Sequence, residues 1–292
     1  MTRHIQADVA IHTHPEHGEG PVWDDRDGAL LWVDIPRGQL HRFHVDAGTD
    51  EITDLGQQLG AVALREQGGV VLAMEDGFAL MAPGGSAQMI APITADDSNL
   101  RFNDGKCDPA GRFFAGTMAK DYTPGASQLH RLDPDLSVTT VLRDLTISNG
   151  LAWAADGRTM YFIDTPTHGI DAFDYDVAAG QIARRRRIID IPERLGFPDG
   201  MCIDDDGCLW VALYDGGAVH RYTPDARLDA IIELPVTKAT SCAFGGSGLD
   251  RLFITTSTER FTAEQFQGQP LAGAVFVCEP GVTGPSPSRF TG

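Results

Sequence analysis

The amino-acid sequence predicts an all-β fold, a six-bladed β-propeller, on three observations. A unit of strand, Asp-Gly or Gly-rich turn, and strand recurs six times along the 292 residues. Its period is roughly 40 to 50 residues, the length in which three or four short strands make one propeller blade. Apolar runs are short and strand-like, and they are broken by 33 Gly and 17 Pro with few long helical patterns between.

The first copy is "GPVWDDRDGALLWVDIPRGQLHRFHVDAG" from Gly20, and the second is "GAVALREQGGVVLAMEDGFALMAPG" from Gly60. The third, "NDGKCDPAGRFFAGTMAKDYTPGASQLHRLDPD", starts at Asn103. "SNGLAWAADGRTMYFIDT" at Ser148 opens the fourth, which runs on to "IDAFDYD", and "PDGMCIDDDGCLWVALYD" at Pro198 opens the fifth, which runs on to "AVHRYTPD". The sixth is "SCAFGGSGLDRLFITTS" from Ser241, continued by "GAVFVCEPG". Runs such as Leu31-Trp32-Val33 and Leu209-Trp210-Val211-Ala212 are strands. The pairs Asp27-Gly28, Asp156-Gly157 and Asp206-Gly207 are hairpin turns, where Gly tolerates positive φ. A ring must close, so the stretch from Val9 to Ile11 is expected to pair with the C-terminal strands. No domain boundary is visible, and residues 1–292 are expected to form a single propeller domain.

Composition excludes some partners. A formal charge of -18 argues against nucleic acid and anionic membrane and suits a protein that binds a cation. Five cysteines without a Cys-x-x-Cys pair read as reduced structural thiols, with no bond expected between Cys202 and Cys208. The N-terminus lacks an apolar signal core and no run reaches membrane-spanning length. The expectation is a cytoplasmic protein, a monomer or weak homo-oligomer.

Four tempting motifs are set aside. "DDDG" at Asp204 lacks the distal Glu of a calcium loop and reads as a solvated hairpin tip. "RRRR" at Arg184 reads as the solvated face of an outer strand, and "GGSG" at Gly245 does not fit a nucleophile elbow. His12, His14 and His17 are read as surface or packing residues, since only His12 and His14 share a face on an extended chain.

One constellation remains. Glu19, Asn103, Asn149 and Asp199 each open a blade, with Gly following directly or one residue later. A residue just before the innermost strand of a blade sits at one mouth of the central channel, so these four converge although they lie far apart in sequence. Asn-Gly and Asp-Gly are also ordinary turn dipeptides, but their shared place in four blades favours convergence. Two carboxylates and two amide oxygens make a hard, all-oxygen site whose charge of about -2 balances one divalent cation, suiting Ca²⁺, Mg²⁺ or Mn²⁺ more than Zn²⁺.

The segments "HGEGPVW", "RFNDGKCDPAGRFFAGTMA", "SNGLAW" and "PDGMCID" resemble, in order, those of the senescence-marker-protein (regucalcin), gluconolactonase and luciferin-regenerating-enzyme family. The resemblance covers nearly the whole chain. It implies a six-bladed propeller with a divalent metal at the channel mouth and hydrolysis of a small-molecule sugar lactone. By this resemblance Glu19, Asn149 and Asp199 hold the metal. Ca²⁺ is the first candidate, with Zn²⁺, Mn²⁺, Mg²⁺ and Fe²⁺ as others. Arg101 and Asn103 contact substrate, Asn103 near enough to be a further ligand, and Asp121 stands where the family often has Glu. Lactone hydrolysis needs a polarised carbonyl and an activated water, for which Asp199 is the candidate base. Rival readings are a hydrolase of other esters, lactones or organophosphates on the same scaffold, and a non-enzymatic calcium-binding regulator.

Overall fold

The computed structural model describes residues 2–292. Six small antiparallel sheets follow one another along the chain. Their innermost strands are Gly18–Asp24, Leu59–Leu64, Leu100–Cys107, Ser148–Trp153, Phe197–Ile203 and Ala239–Gly245. Each inner strand packs beside the next, and the sixth packs beside the first, so the sheets form a closed six-bladed propeller.

The second strand of blade 1, Ala29–Asp34, is buried throughout. Strand residues alternate between faces, and both faces of a blade meet a neighbouring blade, so "ALLWV" reads as an unbroken apolar run. Leu31 and Val33 pack with Leu59, Val62 and Leu72 of blade 2. Leu30 and Trp32 turn the other way, into a cluster with Phe253 and Val275 of blade 6. Every interface between adjacent blades holds one such cluster, so the core is six apolar layers and not one centre. Full burial of a side chain such as Leu31 or Phe253 stabilises the fold by about 1.5–3 kcal/mol.

Ring closure is double. Asp8–Ile11 completes blade 6 by pairing antiparallel with Val275–Cys278, as expected for Val9 to Ile11. The preceding strand Arg3–Gln6 adds a fifth strand, parallel, to the outer edge of blade 5. The C-terminal segment ties back as well, with Phe290 N donating to Leu64 O at 2.8 Å and Glu66 N to Phe290 O at 2.8 Å.

"RRRR" lies on the outermost strand of blade 4, Gln181–Asp190, as expected, but it is not merely solvated. Arg185 and Arg187 pair with Asp171, and Arg184 and Arg186 with Asp174. "DDDG" forms a hairpin turn with Asp205 and Asp206 exposed, as expected, but its first residue departs from the expectation of a solvated tip. Asp204 is buried and accepts from Trp210 Nε1 at 2.9 Å and from Arg221 Nε at 2.7 Å, so a charge-paired hub anchors the hairpin. Cys202 sits opposite Trp210, not Cys208, and its Sγ is 3.6 Å from that of Cys242; all five cysteines are free and buried. Among the described residues no helix is long and apolar enough to cross a membrane.

Candidate functional site

All six inner strands carry a bulge near their start, between Glu19 and Val22, Leu59 and Ala61, Phe102 and Gly105, Asn149 and Leu151, Pro198 and Met201, and Ala239 and Ser241. A bulge breaks the ladder and re-aims a side chain. The four candidate residues therefore lie within the first residues of the inner strands, at or beside these bulges, and not before the strands. In blades 2 and 6 the same place holds Gly60 and Thr240, which offer no carboxylate or amide side chain. The glycines after two candidates are required by close approach. A Cβ on Gly150 would stand 2.8 Å from Asp199 O, and one on Gly200 would stand 2.1 Å from Ser241 Oγ.

Asn103, Asn149 and Asp199 line one cavity of about 350 Å³ together with Arg101. One oxygen of Glu19, one of Asp199 and one ring nitrogen of His17 lie within 4.8 Å of one another. Glu19, Asn103, Asn149 and Asp199 are all buried. Burial, then the charges of Asp199 and Asp104, push the Glu19 carboxyl well above its usual range. Burial, then Asp104, does the same to Asp199, while a hydrogen bond with Asn149 opposes it. Two buried carboxylates this close cannot both ionise without nearby positive charge.

Hydrogen bonding sorts the oxygens further. Glu19 Oε2 accepts from Gly20 N, but its Oε1 is buried without a partner. Asn149 Nδ2 donates to Thr165 Oγ1 at 3.0 Å, and Asn149 Oδ1 is left without a partner. Buried polar atoms are nearly always paired. An orphaned carboxylate oxygen and an orphaned amide oxygen beside Asp199 form the donor set a hard divalent cation takes, so the residues fit such an ion. Asn103 differs, because its Oδ1 accepts from Arg101 Nη1 at 2.8 Å and its Nδ2 donates to Ser148 O at 3.0 Å. Arg101 also donates to Phe102 O at 2.9 Å; the structure turns it toward the amide and the backbone rather than toward a carboxylate.

Asp121 is not brought into this cavity. It is exposed, and its Oδ1 accepts from the backbone and hydroxyl of Thr123. Its neighbour Tyr122 lines the wall instead, with the Arg260 guanidinium 4.8 Å from the ring centroid. Tyr122 follows blade 3 strand Phe113–Ala119 and Arg260 follows blade 6 strand Arg251–Thr256, so the contact joins opposite blades over the mouth.

Sequence reasoning missed several lining residues. His17 belongs to the wall, while His12 and His14 are exposed. His17 Nδ1 lies 3.2 Å from Glu259 Oε2, and this contact is the main cause of a Glu259 carboxyl lowered to about 2. Lys238 is buried, lowered by desolvation, and stacks over Tyr214 at 4.8 Å. For His17 the available signal was its place directly before "GEG"; Glu259 and Lys238 had none within their own blade.

Comparison with known proteins agrees with the six-bladed fold. Residues 17–258 match the model of the SMP-30/Gluconolactonase/LRE-like region. Regucalcin of Macaca fascicularis is 41% identical, with 99% of this chain and 99% of that protein covered. Regucalcin of Gallus gallus is 40% identical over 94% of this chain and 95% of its own. A crystal structure of a calcium-binding protein, regucalcin, from Agrobacterium tumefaciens superposes with a TM-score of 0.95 at 27% identity, covering 99% of both chains. With most of its length matched and its relatives alike end to end, the chain belongs to the SMP-30/gluconolactonase/LRE-like family.

Proposed function

We propose that the protein is a metal-dependent hydrolase of sugar lactones, converting an aldonolactone to its aldonic acid. The observation that carries this reading is the pair of orphaned buried oxygens, Glu19 Oε1 and Asn149 Oδ1, on residues that neighbour Asp199, which together with Asn149 and Arg101 lines the cavity. Glu19, Asn149 and Asp199 would hold one divalent cation. Ca²⁺ suits their oxygens and is the ion named for the Agrobacterium relative. Once bound, the cation supplies Lewis acidity toward a carbonyl oxygen and acidifies water.

The side chains divide the remaining work. Asp199 takes the proton of the attacking water as the water oxygen bonds to the carbonyl carbon, and returns it to the ring oxygen when the ring C–O bond breaks. Arg101 and Asn103, already joined through a hydrogen bond, present donors to adjacent ring hydroxyls. The five free, buried thiols suit the reducing cytoplasm.

A second reading is a calcium-binding protein, as the same relative is named, but one without turnover. One experiment separates the two. Metal-stripped protein is assayed on a panel of hydroxylated and bare lactones with each divalent cation restored. Lactonase action predicts turnover that vanishes on chelation and returns with metal, while thermal melting still reports a folded propeller. Metal binding without turnover on any lactone favours the second reading, and full activity with no metal by elemental analysis removes the first.

A further inference from the structure

His17 is placed to do more than pack. A ring nitrogen, a Glu19 oxygen and an Asp199 oxygen within 4.8 Å of one another approach the spacing of donors around a single ion. Ligands about 2.1 Å from a common metal stand roughly 3 to 4 Å apart, so small side-chain adjustments close the set. The buried, unpartnered Glu19 Oε1 points independently to a missing positive partner at this spot.

The hydrogen bonds around His17 select its tautomer. Ser257 Oγ donates its proton to Glu16 O at 2.9 Å. It can therefore only accept from His17 Nδ1, 3.1 Å away, as it does from Glu259 N at 2.9 Å. Glu259 Oε2, 3.2 Å from Nδ1, is an acceptor too. Nδ1 thus carries the hydrogen, and the lone pair lies on Nε2. A carboxylate that holds the far nitrogen of an imidazole is the support a metal-binding histidine ordinarily has.

We infer that His17 is a fourth protein ligand of the cation, through Nε2, with Glu259 as the carboxylate that orients its ring. The inference rests on the metal centre proposed above and deepens it. One nitrogen among oxygen donors leaves Ca²⁺ acceptable but ranks Mn²⁺, Co²⁺ and Zn²⁺ above it, because imidazole favours the softer ions.

The test reads the metal directly, apart from turnover. Metal-stripped wild type is loaded with Mn²⁺ and examined by electron spin-echo modulation, with histidine at natural abundance and then labelled with ¹⁵N. Modulation from a directly bound imidazole nitrogen that changes with the label supports the inference, and this measurement needs no variant. Competition titrations then compare Zn²⁺ with Ca²⁺ in wild type, His17→Gln and Glu259→Gln. His17→Gln should lose the nitrogen modulation and lower the Zn²⁺-to-Ca²⁺ preference at least about tenfold. Glu259→Gln should keep the modulation and weaken Zn²⁺ about 10- to 100-fold. Metal bound without imidazole modulation, or with a preference unchanged in His17→Gln, overturns the ligand role and leaves the centre standing. Absence of any metal binding removes the centre itself.

Discussion

The two ends of the central channel are built from the same six strands, yet they treat their polar groups oppositely. At one end lie Glu19, Asn149 and Asp199, with two oxygens unpartnered. The other end is a cavity of about 400 Å³ lined by later residues of the same strands, among them Asp104, Lys106 and Asp204, and crossed by Pro285–Ser288. There the polar groups find partners within the chain, although the Asp104 charge also reaches Glu19 and Asp199. Asp104 Oδ1 accepts from Gly105 N at 2.7 Å, Lys106 Nζ donates to Met201 O at 2.7 Å, and Asp204 is held by Arg221 and Trp210. The unpartnered atom there, Trp153 Nε1, is a neutral donor that asks for no counter-charge. Burial alone therefore does not mark a functional end. What distinguishes the first mouth is a carboxyl oxygen and an amide oxygen left without a donor, the feature on which the proposed cation site rests.

Exchanging one carboxylate at each end is the strongest way to break this contrast. Asp199→Asn keeps an oxygen but removes a charge and a base, so kcat should fall at least about a hundredfold. Asp104→Asn removes a charge that acts on Glu19 and Asp199 but leaves both side chains in place, so kcat should change far less, by about tenfold at most. Steady-state kinetics on a responsive lactone checks both. A collapse in Asp104→Asn with a healthy Asp199→Asn would invert the assignment of the two mouths.

Within the first mouth, Arg101 separates gripping substrate from shaping the ion site. Arg101→Ala should raise KM for a hydroxylated lactone by the equivalent of about 1.5–3 kcal/mol, the range for hydrogen bonds to charged groups. A lactone of the same ring size without hydroxyls should be affected far less. Equal losses on both would place Arg101 in the support of the site rather than on the sugar.

The smallest effect on turnover concerns histidines that are not in the mouth. Burial lowers His130, with help from Arg143, and His220 to about 4 from 6.5. The unfolded chain takes up these protons below about pH 6.5, whereas the folded chain resists until about pH 4. Their contribution to stability is complete above pH 6.5, is lost progressively as pH falls toward 4, and changes no further below. Thermal melting across that window should show the loss. His130→Gln and His220→Gln should flatten it without altering kcat at neutral pH, and an unchanged slope in both variants would place the acid sensitivity elsewhere.

The blades were legible because their signals are local: a strand, a turn and a strand within one repeat. So was the shared place of Glu19, Asn103, Asn149 and Asp199, since the fold repeats one bulge in every blade and a carboxylate or amide there stands out against Gly60 and Thr240. His17 was not, because its meaning depends on Glu259, two hundred and forty-two residues away on the opposite side of the chain's closure. Its neighbours His12 and His14, which are exposed, made a surface reading natural. Asp204 misled for a related reason. Asp-Asp-Asp-Gly is a hairpin tip, but its first residue is buried where Arg221, two strands on, reaches it. Asp121 followed its family position, but the chain turns at positive φ at Tyr122, and the aromatic ring takes the wall in its stead.

The seam where the ends of the chain meet has a consequence for how the protein is made. Asp8 pairs with Val277, so the last blade cannot be completed until synthesis has passed Val277. Contacts of such separation form late and slowly, since loop closure must precede the gain. Glu16, His17 and Gly18 lie beside that seam and are joined to Ser257, Glu259 and Thr240 across it. A ribosome-bound fragment can therefore stack its first blades, yet it lacks one wall of the mouth. Competence to hold an ion would arrive in a single late event, with the final strands, and not accumulate blade by blade during synthesis.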